Sequence, residues 1–154
     1  MYKTVLVALD GSDLAECVLP HLEALAGVGT LESVVLVRVV EPVPIATGSD
    51  FLITEDIAAK ITEDHSREAG DYLSRVAGPL ARLSAKVTCK VLYGRAAETL
   101  ADYATQNRVD LILMATHGRS GVTRWLLGSV ADRVVRNAGV PVLLVRAPGS
   151  APKS

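Results

Sequence analysis

The stretch Met114-Ala-Thr-His-Gly-Arg-Ser-Gly-Val-Thr-Arg-Trp-Leu-Leu-Gly-Ser129 carries the densest chemistry in the chain. An apolar run, Leu111–Ala115, stops at a turn bearing Gly118 and Gly121, and Gly128-Ser129 then opens a helical pattern. Strand, flexible turn and helix start form the order that a phosphate requires. Glycine lets backbone N–H groups approach an anion closely, and a helix N-terminus adds free donors and a favourable dipole. The turn is not a Walker loop, because no Gly-x4-Gly-Lys-Ser/Thr occurs and no lysine lies near it. Nor is it a dinucleotide fingerprint: Gly27-Val-Gly29 follows a helical pattern, and Glu32 stands where the last glycine would be. From spacing alone a second reading is equally open, in which Gly118 and Gly121 only make a tight loop and Gly128 lets a helix start close to a sheet. Arg119 and Arg124 could meet phosphate charge or form a solvated loop face. Ser129 could donate to a terminal phosphate or cap the helix, and the two roles are compatible.

Asp10 opens the other chemically suggestive turn, Asp10-Gly-Ser-Asp13. Its carboxylate could accept from a nucleobase amino group or a ribose hydroxyl, help hold a metal, or cap the following helix, with Ser12 and Asp13 as rival caps. His117 could act as an acid or base, but no carboxylate or nucleophile stands at motif spacing, so no catalytic residue is assigned. Cys17 and Cys89 form neither a metal-ligand pair nor a disulfide framework and read as small buried hydrophobes. Trp125 reads as packing the last helix. No side-chain cluster for a metal can be picked out.

The elements that must position these residues alternate. Val5–Leu9 is a continuous apolar run, the pattern of a strand buried on both faces. Leu14 to Ala26 has near-helical apolar spacing and ends at Gly27 and Gly29. Ser33–Val40 is a second strand, stopped by Pro42 and Pro44, and Glu41–Thr54 has no period and reads as a long mobile connection. Glu55 to about Leu83 is a long polar helix with Gly78-Pro79 near its end, followed by a strand at Val87–Leu92 and a helix at Ala96–Gln106. Asp110–Thr116 is the fourth strand, Trp125–Asn137 the fourth helix and Val142–Val145 the fifth strand. This alternation predicts a single-domain α/β fold, a parallel sheet with helices on both faces, over residues 1–147, with a frayed tail at 148–154. In such folds ligands bind at the carboxyl ends of the strands, where the strand order reverses.

Composition excludes several classes of partner. The chain has 154 residues, 49% hydrophobic, and a formal net charge of −1, so no global basic field is available for nucleic acid. No polybasic run suits an anionic membrane, and no apolar run reaches the roughly 18 residues of a membrane span. The first apolar segment is too short and wrongly flanked for a signal peptide, which leaves the cytoplasm as the expected compartment.

Taken together the motifs resemble the universal stress protein family over the whole chain. Val5-Leu-Val-Ala-Leu-Asp-Gly-Ser12, Leu36-Val-Arg-Val-Val40 and Gly94-Arg-Ala-Ala-Glu98 are similar to its first strand and turn, its second strand, and the turn after its third. Thr116-His-Gly-Arg-Ser-Gly121, Leu127-Gly-Ser-Val-Ala131 and Val140-Pro-Val-Leu-Leu-Val145 are similar to its C-terminal signature. The resemblance implies a five-stranded sheet of order 3-2-1-4-5 and a homodimer paired through the last strand, about Val142–Arg146. It implies an adenine nucleotide, ATP or AMP, with Mg²⁺ carried by the phosphates, in a dimeric stress-response regulator that is not an enzyme. A scaffold without nucleotide and a weak ATPase are the alternatives. ATP-binding members carry Gly-x2-Gly-x9-Gly-Ser/Thr, which falls here on Ala115, Gly118, Gly128 and Ser129. The first glycine is replaced by alanine. Its methyl would cost roughly 1–2 kcal/mol in a left-handed backbone and is tolerated in an extended one. By the same resemblance Asp10 meets the adenine or ribose, Val39 offers backbone groups to the base, and Ser129 meets the terminal phosphate. His117, Arg119 and Gly121 complete the expected site, and Glu41–Thr54 is a candidate lid.

Overall fold

The computed structural model describes residues 1–45, 54–117 and 127–148. Five strands, β1 (Thr4–Ala8), β2 (Ser33–Val40), β3 (Lys86–Tyr93), β4 (Leu111–Ala115) and β5 (Val142–Val145), form one sheet of order β3-β2-β1-β4-β5. All four strand pairings are parallel. The helices are α1 (Leu19–Gly27), α2 (Glu55–Leu80), α3 (Ala96–Gln106) and α4 (Ser129–Asn137). Among the described residues no helix is long and apolar enough to cross a membrane.

The sheet is buried on both faces because its central strands are apolar throughout. Alternation sends Val5, Val7, Val34, Leu36, Leu111 and Leu113 to one face, where they pack against Val18, Leu22, Leu73 and Val76 of the α1 and α2 segments. Leu6, Val35, Val37, Ile112 and Met114 go to the other, against Leu100, Ala104, Ala131 and Val134 of α3 and α4. The expected architecture and strand order are both observed.

Boundaries differ in instructive places. The first helix opens as a 3₁₀ turn, Ala15–Val18, and becomes α-helical only at Leu19. Pro20 falls in the first turn of α1, where its missing N–H costs no helical bond. Helix α2 starts on Thr54, whose hydroxyl accepts from the Ile57 N–H at 3.3 Å, runs through Gly78-Pro79 and ends at Leu80, earlier than the pattern suggests. Helix α4 begins at Ser129, not Trp125: Gly128 is extended (φ −55°, ψ 149°), and Trp125 lies outside the described residues. Cys89 is exposed rather than buried, because β3 is an edge strand, and Lys86 and Lys90 are exposed on it too; Cys17 is half-buried. Of the expected lid only Glu41–Ile45 and Thr54 are described, and the expected tail beyond residue 148 lies outside the described residues.

Asp110 ties β4 to the start of β1. Its Oδ2 accepts from the Lys3 N–H at 2.9 Å and the Thr4 N–H at 2.8 Å, and these donations hold its carboxyl below the ordinary carboxylate range. A carboxyl whose pKa falls on folding adds stability above its unfolded value and loses it as pH drops through the folded value. Asp110→Asn is therefore expected to cost stability at neutral pH, and the deficit should shrink as pH falls below about 4. Urea unfolding of both proteins from pH 7 to pH 2.5 measures this, and a deficit independent of pH would count against it.

Candidate functional site

β1 leads the chain outward to β2 and β3 on one side of the sheet, while β4 and β5 lie on the other. Connections leaving the carboxyl ends of β1 and β4 therefore diverge, and a crevice is left between them. That crevice is a cleft of about 530 Å³, lined by Asp10, Val39, Ala115, His117, Gly128 and Ser129 among others. Six of the expected site residues thus share one concavity. Gly118, Arg119 and Gly121, with Arg124, lie outside the described residues.

On the β1 side, Oδ1 of Asp10 accepts from the Ser12 N–H at 2.9 Å and from the Ser12 hydroxyl at 2.5 Å. Ser12 Oγ in turn accepts from the Ala15 N–H at 3.2 Å. Ser12, not Asp10, caps the 3₁₀ turn, and Asp10 orients the cap. Gly11 between them has φ +86°, a conformation that disfavours any side chain. Val39 lies one step past the end of β1: the last bond from β1 to β2 runs from the Leu9 N–H to the Val37 carbonyl at 2.9 Å. Alternation turns the peptide groups of Val39 to that same side, towards the cleft.

On the β4 side, Ala115 is the last strand residue, paired with Val145 and buried. Arg108 is the only non-glycine with positive φ among the described residues, so Ala115 has the backbone that accepts its methyl. His117 is 8% exposed; its Nδ1 lies 3.1 Å from the Thr116 hydroxyl, and its Nε2 has no hydrogen-bond partner among the described residues. Thr116 Oγ1 also accepts from the Ala147 N–H at 3.4 Å.

The start of α4 closes the cleft. The Gly128 N–H donates to the Thr116 carbonyl at 2.8 Å, and a Cβ on Gly128 would stand 2.8 Å from that same oxygen. Ser129 is the first helical residue, not the cap, and no side chain among the described residues caps α4. The other helix starts differ. Thr54 caps α2, Ser12 caps the turn that leads into α1, and Glu41 Oε1 accepts from the Ala96 N–H at the start of α3 at 3.2 Å. Helix α1 continues the turn that Ser12 caps and has no side-chain cap of its own; the first-turn N–H groups of α4 likewise meet no side-chain acceptor among the described residues, and there Ser129, Val130 and Ala131 all line the cleft.

The cleft also holds Arg38, Glu41, His65 and Glu68, which motif reasoning missed. Arg38 had a signal, a lone charge inside the valine-rich run Leu36–Val40. His65 and Glu68 had none, being two polar residues among many on α2. Among the described residues no group of three or more His, Cys, Asp or Glu side chains could hold a metal. Gly128→Ala is expected to push the start of α4 off the Thr116 carbonyl, with a loss of about 1–3 kcal/mol in urea unfolding; a stability equal to the parent's would show that the contact can relax.

A model of the universal stress protein family matches residues 1–146. A universal stress protein of Methanocaldococcus jannaschii is 34% identical over 152 residues, covering 96% of this chain and 84% of the relative. The solved structure of a second such protein of that organism is 28% identical with a TM-score of 0.81, covering 97% and 99% of the two chains. A structure from Archaeoglobus fulgidus, a universal stress protein in complex with dAMP, shares the fold at 23% identity and a TM-score of 0.65, covering 93% and 97%. With the fold, the strand order and the glycine-bounded cleft, these matches establish that the chain belongs to the universal stress protein family.

Proposed function

We propose that the cleft binds an adenine nucleotide, ATP or AMP, and that the protein acts as a dimeric stress-response regulator in the cytoplasm, not as an enzyme. The observation that carries this reading is the start of α4, pressed against the end of β4 inside the cleft and without a side-chain cap among the described residues. An anion there receives several N–H groups and the positive end of the helix dipole. The phosphates lie over Gly128 and Ser129, with Gly118, Arg119 and Gly121 contributing from the connecting turn. The base and ribose lie against Asp10 and the backbone of Val39. A cleft of this volume is in the usual range for a small-molecule site. The dAMP complex of the A. fulgidus relative supports the choice of adenine. Mg²⁺ enters with the phosphates. His117 faces a hydroxyl rather than a carboxylate, an arrangement that serves binding better than proton transfer.

Thermal or urea unfolding with increasing ATP and Mg²⁺ tests the reading. Ligand at 100 times its Kd should add about 2.7 kcal/mol of stability, and no shift with any adenine nucleotide at millimolar concentration would leave only a scaffold.

The dimer forms through β5, about Val142–Arg146. β5 is an edge strand without charged residues, and Leu143 on it is 38% exposed. An open apolar edge favours pairing with a second copy. Leu143→Lys is expected to convert the dimer to monomer in sedimentation equilibrium, and a variant that stays dimeric would place the interface elsewhere.

A further inference from the structure

Arg38 is 8% exposed, the most buried charged side chain apart from His117 among the described residues. Alternation along β2 sets it on the α1/α2 face, opposite Val37 and Val39. Its guanidinium lies against the Asp10-Gly11-Ser12 turn: a Cβ on Gly11 would stand 2.9 Å from Cζ and from one of the terminal nitrogens. Its Cζ lies over the Tyr72 ring, 5.6 Å from the centroid, and the Cζ of Arg75 lies at the same distance from that ring. A cation over a ring engages its charge without using its N–H donors, and no hydrogen bond from the Arg38 guanidinium is found among the described residues. The ion pairs of the described residues, such as Lys3–Glu32 and Arg82–Glu23, are surface pairs, and none involves Arg38. The carboxylate in the adjoining turn, Asp10, directs Oδ1 at Ser12. The other carboxylates at the cleft, Glu41 and Glu68, are exposed, and Glu41 serves the start of α3.

A guanidinium cannot shed its charge, so a buried one favours an incoming anion strongly. This anion is not the phosphate over α4, since α4 packs on the opposite face of the sheet. We propose that Arg38 forms a second anion subsite on the α2 side of the cleft, and that the preferred ligand carries a phosphate on its ribose as well as on its 5′ position. The inference rests on the nucleotide reading and deepens it. Asp10 and Arg38, on either side of Gly11, make the pairing that nucleotide sites use at a ribose, an acid for a free hydroxyl and an arginine for a phosphorylated one. A guanidinium edge takes two phosphate oxygens at once.

The test is calorimetric titration of the full chain with AMP, ATP, adenosine 3′,5′-bisphosphate and adenosine 2′,5′-bisphosphate, repeated with Arg38→Met and Arg38→Lys. At least one bisphosphate should bind the parent protein about 10-fold more tightly than AMP. That ratio should fall to near one in Arg38→Met and be partly kept in Arg38→Lys. The two isomers tell a 3′ from a 2′ phosphate. Bisphosphates no tighter than AMP would overturn the inference on the parent protein alone, whatever the variants do. A ratio that survives in Arg38→Met, or an ATP-to-AMP ratio that collapses in its place, would equally overturn it. AMP binding without bisphosphate preference removes only this inference, whereas no binding of any adenine nucleotide removes the nucleotide reading as well.

Discussion

The hydrogen bond from the Gly128 N–H to the Thr116 carbonyl holds the cleft in shape. It fixes the first turn of α4 directly beyond the last residue of β4, at a separation only a residue without Cβ permits. Several consequences follow from that one contact. The first-turn amides of α4 face the carboxyl edge of the sheet. Ala131 and Val134 come down onto Ile112 and Met114, so the contact also seats α4 on its core. A single peptide group thus serves both packing and the site.

The extent to which this was legible differs by element. The strands were plain because a sheet covered on both faces needs unbroken apolar runs, and Val5–Leu9 and Leu111–Ala115 are such runs. Parallel order follows from the alternation of strands and helices, and it puts Asp10, which follows the first strand, and His117, which follows the fourth, at the same end of the sheet. Helix starts were less legible. The apolar spacing of the last helix runs back to Trp125, but Gly128 interrupts it with extended backbone, and periodicity does not register that. Cys89 was misjudged because burial depends on which strand lies at the edge, a property of the topology and not of the local residues.

Arg38 shows the limit most clearly. Five-residue patterning marks it as an exception inside a buried strand and can say nothing of what surrounds it. Its surroundings come from two distant parts of the chain: the Gly11 turn after β1, and Tyr72 of α2, whose ring Arg75 shares. Burial first, and then the Glu16 carboxylate, push the Tyr72 phenol above its ordinary value, so the ring beneath the guanidinium stays neutral at any physiological pH. The α2 wall of the cleft is thus a tertiary construction, whereas the α4 wall is largely a local one.

The two margins of the sheet are chemically unlike. β3 is eight residues long and carries exposed Lys86 and Lys90, while β5 is four residues long and carries no charge. A chain able to add strands at both margins would grow without limit, each copy templating the next. Lysines on one margin penalise that by setting like charges side by side. Association through the other margin alone, as in the proposed dimer, would be self-complementary and stop at two. The uneven charging of its edges lets this sheet keep one of them open without becoming a seed for fibres.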